Sequence, residues 1–213
     1  MKIVAIDASQ NSAALNCTLN AVAEAAEAAG AQVGFLSLAD YHIRDCVNCK
    51  LCALGDGCKV DDGLATVLQA LEWADGVIIG VPLSSYGARA QRGEGRAVRA
   101  LLTRLRTHFE SQVQSQPRLP GLESVESYLS KAARDAKQAI IVTGSSSEGG
   151  IGAFFNLGDA RGQVRSLRHA LAACNIDAVG SLSVERSRRD GADLSIEQRG
   201  RAVSMGRLIA GKV

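Results

Sequence analysis

The segment CVNCKLCALGDGC, residues 46–58, places Cys46, Cys49, Cys52 and Cys58 within thirteen positions. Thiols so close together can pair as disulfides, close a tetrahedron around zinc, or ligate an iron–sulfur cluster. Zinc sites usually join two CxxC or CxxH units across a longer spacer. Here the thiols at 46, 49 and 52 recur every third residue, a C-x2-C-x2-C run that lets one short loop wrap a cubane. Gly55 and Gly57 then give the backbone the freedom to turn Cys58 back to the same cluster. The spacing is specific for metal and less so for which metal. It favours a 4Fe-4S cluster and leaves zinc or cluster-free thiols open.

Composition bears on the disulfide reading. The chain has 213 residues, 46% of them hydrophobic, which suffices for one sizeable core and predicts a single domain over 1–213. A net charge of +2 gives no electrostatic case for nucleic acid or a membrane surface as partner. The start, MKIVAIDASQ, has a short apolar run broken by Asp7, which reads as neither a signal peptide nor a membrane span, so a cytoplasmic protein is expected. In a reducing compartment clustered cysteines are metal ligands or redox groups before they are disulfides, with Cys17 and Cys174 as packing residues. His42, His108 and His169 are scattered and read as surface or capping residues, so no side chain is assigned as a catalytic acid or base.

The elements that must carry these thiols alternate regularly. Residues 2–7, 32–38, 76–81, 138–144 and 178–185 read as strands, the middle ones as short continuous apolar runs typical of parallel strands covered on both faces. Helices are expected at 16–29, about 62–74 with Asp61 or Asp62 as N-cap, 95–109, 160–174 and 195–210. The alternation predicts an α/β fold, a doubly wound five-stranded parallel sheet with helices on both faces. Residues 111–127 are polar and hold two of the three prolines, and read as a surface excursion.

In such sheets ligands lie beyond the carboxyl ends of the strands. The loop after the first strand, DASQNSAALNCT, offers Ser9, Gln10, Asn11, Ser12, Asn16 and Thr18 before a helix. It could bind phosphate through hydroxyls and backbone N–H groups, or Asn16 or Thr18 could simply cap the helix. After the third strand come Pro82, Leu83, Ser84, Ser85 and Tyr86, with Tyr86 offering an aromatic face or plain packing. After the fourth come Thr143, Gly144, Gly149 and Gly150, in a glycine- and serine-rich stretch whose backbone could approach a flat ring. Arg89, Arg92, Arg96 and Arg99 form a basic stripe that reads as a solvated helix face.

The order of strand, serine-rich loop, helix, C-x2-C-x2-C-x5-C ending in KVDD, then ADGVIIGVP resembles the iron-sulfur flavoproteins, within the flavodoxin-like NAD(P)H-dependent FMN reductase superfamily. That resemblance implies a flavodoxin-like fold and bound FMN. The phosphate would be held at Ser9, Asn16 and Thr18. The ring would be held at Pro82, Leu83, Ser84 and Ser85, with Tyr86 beside them, and at Thr143, Gly144, Gly149 and Gly150. It implies a 4Fe-4S cluster on Cys46, Cys49, Cys52 and Cys58. The sequence departs from the family pattern at Ala8-Ser9-Gln10, where Gly-Ser-Pro-Arg is usual, and at Ser84, where an aromatic residue is usual. The implied activity is an FMN-dependent oxidoreductase relaying electrons between a ferredoxin or NAD(P)H donor and an acceptor. The alternatives are an NAD(P)H-dependent FMN or quinone reductase without a cluster, and a metal-bearing regulatory or scaffold module without turnover. A small redox protein and a second copy of the chain, as homodimer or tetramer, are the expected partners.

Overall fold

The computed structural model describes residues 1–8, 12–49, 51, 58–82, 95–115, 137–144, 157–184 and 194–211. Five parallel strands, β1 (Lys2–Asp7), β2 (Gln32–Ser37), β3 (Gly76–Pro82), β4 (Lys137–Gly144) and β5 (Ile176–Val184), form one sheet in the order β2-β1-β3-β4-β5. The helices are α1 (Ala13–Ala28), α2 (Leu64–Trp73), α3 (Gly95–Ser115), α4 (Leu157–Ala172) and α5 (Ile196–Ile209). A short 3-10 turn, Leu38–Asp40, follows β2.

Side-chain alternation along the strands explains why both faces are apolar. Ile3, Ala5, Ile78, Ile140 and Val142 point to the face covered by α1 and α5, where they meet Leu15, Leu19, Val22, Ala202 and Ile209. Val4, Ile6, Val77, Ile79 and Ile141 point to the opposite face and meet Leu64, Val67 and Leu71 of α2, Leu101 and Leu105 of α3, and Leu167 and Leu171 of α4. Burying both faces turns the usual two-residue alternation into continuous apolar runs such as GVIIGV. The α/β, doubly wound reading is thereby borne out. The chain moves from β1 outward to β2 and then returns across β1 to β3, so the topological switch point lies between β1 and β3.

Most element ends shift by one to three residues from the sequence reading, and two of the differences bear on the site or the chain's organisation. Helix α1 starts at Ala13 because Ser12, in extended backbone, accepts a hydrogen bond from Leu15 N–H at 3.4 Å, so neither Asn16 nor Thr18 is the cap. Helix α3 continues to Ser115, which makes the first residues of the polar 111–127 stretch helical. A capping box, in which Ser195 and Gln198 bond each other's backbone N–H, fixes the start of α5.

Helices α1 and α5 meet through small residues. A Cβ placed on Gly206 would lie 2.5 Å from the Val22 carbonyl oxygen and 2.6 Å from Ala25 Cβ, so only glycine permits this approach. The alanines of α1 serve the same contact, which is why the helix can be rich in them and still be buried. Gly200, one and a half turns earlier, has nothing within 4 Å of such an atom. Gly206→Ala should therefore cost roughly 1–3 kcal/mol by overpacking against backbone. Gly200→Ala should stabilise by about 0.5–1 kcal/mol through helix propensity. Urea unfolding of the two variants checks the opposite signs.

Candidate functional site

At the carboxyl end of the sheet, β1, β3, β4 and the start of α1 converge. Ala8 N–H donates to the Gly80 carbonyl at 2.9 Å, and Pro82 stands in register with Gly144. Both strand ends are buried. A Cβ on Gly144 would lie 3.2 Å from Leu15 Cβ, and one on Gly80 3.4 Å from Leu19. The two glycines let the first turns of α1 sit low on the strand ends. This brings the positive N-terminus of a 16-residue helix to the switch point, where the N–H groups of a helix start favour an anion.

The sequence-predicted residues fall into three groups here. Asn16 lies half-buried in the first turn of α1. Thr18 is completely buried, and its hydroxyl donates to the Ala14 carbonyl at 2.8 Å. Thr143 is 2% exposed; its Oγ1 shares a hydrogen bond with Ser183 Oγ at 2.9 Å and also meets the Leu182 carbonyl, tying β4 to the edge strand β5. Pro82, Asn16 and Gly144 thus gather at one end of the sheet, while the Thr18 and Thr143 hydroxyls are engaged within the fold. Ser9, Leu83, Ser84, Ser85, Tyr86, Gly149, Gly150 and Cys52 lie outside the described residues.

The cysteine segment leaves β2 through the 3-10 turn and returns to α2, and its neck is closed by three contacts. Tyr41 packs on Gly63, where an added Cβ would lie 2.5 Å from the Tyr41 Cβ. Arg44 N–H donates to Asp62 Oδ2 at 2.9 Å, and the Arg44 guanidinium donates to the Asp61 carbonyl. The third contact comes from outside the segment. Arg104, on the inner side of α3, is 3% exposed and forms an ion pair with Asp62 in which both side chains are 2% exposed. The same guanidinium donates to the Arg44 carbonyl at 3.2 Å, the Val60 carbonyl at 3.5 Å and Cys58 Sγ at 3.1 Å. Asp62 also accepts from Leu64 N–H at 3.1 Å, so it serves the start of α2 although Gly63 occupies the cap position.

Burial disfavours both charges, yet the pairing prevails. Desolvation pushes the Asp62 carboxyl up, but bonds from Arg104, Arg44 N–H and Leu64 N–H outweigh it and hold the group below the ordinary carboxylate value. Desolvation likewise works against the Arg104 cation, and Asp62 and Cys58 more than offset it, raising its pKa.

The thiols are placed as acceptors. Asn48, in the left-handed region with φ 52°, directs its N–H to Cys46 Sγ at 3.4 Å. Cys58 receives Arg104. Arg104 Nε is a further buried donor with no acceptor among the described residues. This donor-rich surround suits anionic sulfur, and so fits a thiolate-bound metal group. Among the described residues no three His, Cys, Asp or Glu side chains gather closely enough to hold a metal ion. Cys46 is half-buried, and Cys49 and Cys58 are exposed. Cys174 is fully buried and its thiol faces the Leu102 carbonyl at 3.8 Å, in keeping with a packing role, while Cys17 is half-buried. Arg99 is exposed, as a solvated helix face requires.

Sequence reasoning missed Arg104. A signal was present, since position 104 lies three residues after Leu101 and four after Ala100, both buried, on a helix otherwise rich in exposed arginines.

Removing the charge of Asp62 leaves Arg104 buried without its counter-ion, so Asp62→Asn should lower stability by about 3 kcal/mol in metal-free protein at neutral pH. Because Asp62 titrates lower in the fold than in the unfolded chain, its stabilisation is present above the unfolded value of about 3.9 and is lost as pH falls through the folded value. The gap between wild type and Asp62→Asn should therefore shrink below about pH 4. Denaturant titrations across pH check both statements.

Comparison with known proteins agrees with this geometry. Residues 1–91 match the family model of NADPH-dependent FMN reductases. Among curated proteins, an iron-sulfur flavoprotein of Archaeoglobus fulgidus is 34% identical over 82 residues, 38% of this chain and 40% of that protein. A second, from Methanocaldococcus jannaschii, is 36% identical over 73 residues, 34% of this chain and 36% of that one. These matches span less than half the length of either relative. Oxidised flavodoxin 1 of Bacillus cereus superposes over 100% of this chain and 99% of its own, with TM-score 0.56 and 14% identity, a likeness of fold. The fold is flavodoxin-like, and over its first 91 residues the chain matches the NADPH-dependent FMN reductase family, with iron-sulfur flavoproteins as its relatives.

Proposed function

We propose that this chain is an FMN-dependent oxidoreductase that also carries a 4Fe-4S cluster on Cys46, Cys49, Cys52 and Cys58. In this reading it relays electrons between an NAD(P)H or ferredoxin donor and an acceptor. The observation that carries the flavin half is the descent of the α1 N-terminus onto the ends of β1, β3 and β4 at the switch point, in a segment matching FMN reductases. The observation behind the metal half is a cysteine segment whose neck is fastened by a buried ion pair and whose Cys46 and Cys58 sulfurs both receive N–H donors.

When bound, the flavin exchanges electrons singly or as a hydride and the cluster passes them one at a time. The chain's own residues bind and orient. The N–H groups at the start of α1 and Asn16 hold a terminal phosphate; a single phosphate suits this site, which has no GxGxxG to cradle a dinucleotide pyrophosphate. Pro82 and Gly144 end their strands side by side, where the two stretches assigned to the ring begin. No acid or base among the side chains is required. Val47, 67% exposed between two cysteines, suits burial against a second copy of the chain or a redox partner.

Anaerobic purification tests the reading. The expected outcome is FMN released on denaturation, together with about four irons per chain and a visible shoulder bleached by dithionite. Flavin without iron would leave the cluster-free reductase, and metal without flavin the regulatory module. Asn16→Asp should lower FMN affinity at least about tenfold by setting a carboxylate against the phosphate. A carboxylate suits the first turn of a helix, so the helix start itself does not oppose the change in the apoprotein. Fluorescence titration and thermal melts separate the two effects.

A further inference from the structure

We propose that Arg104 is a positioning residue for the metal centre: through its hydrogen bond to Cys58 Sγ it orients the fourth ligand and raises the cluster's reduction potential. This rests on the cluster reading given above. The geometry is specific. One guanidinium nitrogen bonds Asp62 and the Arg44 carbonyl, fixing both stems of the loop, while the other reaches Cys58 Sγ at 3.1 Å and the Val60 carbonyl at 3.5 Å. The fork is 3% exposed, so its charge is little screened by water. Reducing a cluster by one electron adds negative charge to the iron–sulfur core and its thiolates. A buried cation hydrogen-bonded to one of those sulfurs stabilises the reduced form more than the oxidised form. The remaining donor, Nε, is buried and finds no acceptor among the described residues.

A lysine would not substitute fully. A single ammonium can replace the charge, but not the planar fork that addresses Asp62 and Cys58 together. Arg104 therefore differs from an ordinary structural arginine in two separable ways, by where it holds Cys58 and by the charge it presents to the sulfur.

The test uses iron-loaded protein prepared anaerobically, followed by redox titration with electron paramagnetic resonance. Arg104→Gln is expected to lower the reduced-to-oxidised ratio at a fixed poise at least tenfold, about 59 mV for a one-electron couple. Arg104→Lys should restore part of that shift. Asp62→Asn loosens the same neck but keeps the donor to Cys58, and should move the potential less than Arg104→Gln. Equal shifts in Arg104→Gln and Asp62→Asn, or none in Arg104→Gln, would overturn the proposal while leaving the cluster in place. Should Arg104→Gln fail to fold or lose its iron, wild-type protein labelled with 15N-arginine decides the matter. Pulsed spectroscopy of the reduced cluster is expected to detect an arginine nitrogen coupling, and its absence overturns the proposal. Wild type that takes up no iron overturns both this inference and the cluster reading.

Discussion

The structure around the cysteines depends on one desolvated cation. A guanidinium with 3% exposure is tolerable only when most of its donors are paired, and the acceptors Arg104 finds for both terminal nitrogens are the Asp62 carboxylate, two carbonyls and a thiol of a segment some forty to sixty residues away in sequence. The stems of the loop cannot drift from α3 without leaving that charge alone. Helix α3 is in turn fixed against the sheet by Val98, Leu101, Leu102 and Leu105. A chain of contacts thus runs from the apolar core through one arginine to Asp62 and Cys58.

A second constraint acts at the other centre. In a parallel sheet the strands all end on the same side, so β1, β2, β3 and β4, which lead into the serine-rich stretch, the cysteine segment and the two stretches assigned to the ring, finish at one end of the sheet. Gly80 and Gly144 let α1 settle onto that end; a side chain on Gly144 would press on Leu15 and displace the helix start that the phosphate reading needs. The segments proposed for flavin and cluster therefore begin at neighbouring strand ends as a consequence of topology.

Much of this was legible in the sequence, for identifiable reasons. Strands covered on both faces show as unbroken apolar runs, so β1, β3 and β4 stood out, and α2 announced itself by its apolar spacing. The thiol spacing was plain because it is local. What was not legible depends on contacts between distant residues. Ser12 rather than Asn16 or Thr18 caps α1, since the chain enters the helix earlier than the apolar pattern implies. Thr18 offers a hydroxyl in sequence, but in the fold that hydroxyl is spent on Ala14. Arg104 was hidden among the arginines of its helix; its spacing from Leu101 puts it on the inward face, but only the tertiary fold reveals that it meets Asp62 and Cys58 there.

The central claim is that the Arg104-fastened cysteine loop is a metal-cluster site built onto a flavodoxin-like fold. Anomalous diffraction at the iron edge from anaerobically grown crystals tests it most directly. The account predicts one compact iron density bonded to the sulfurs of Cys46, Cys49, Cys52 and Cys58, with the Arg104 guanidinium against Cys58 Sγ. A single zinc in that position, or iron density with Cys58 turned away from it, would contradict the account.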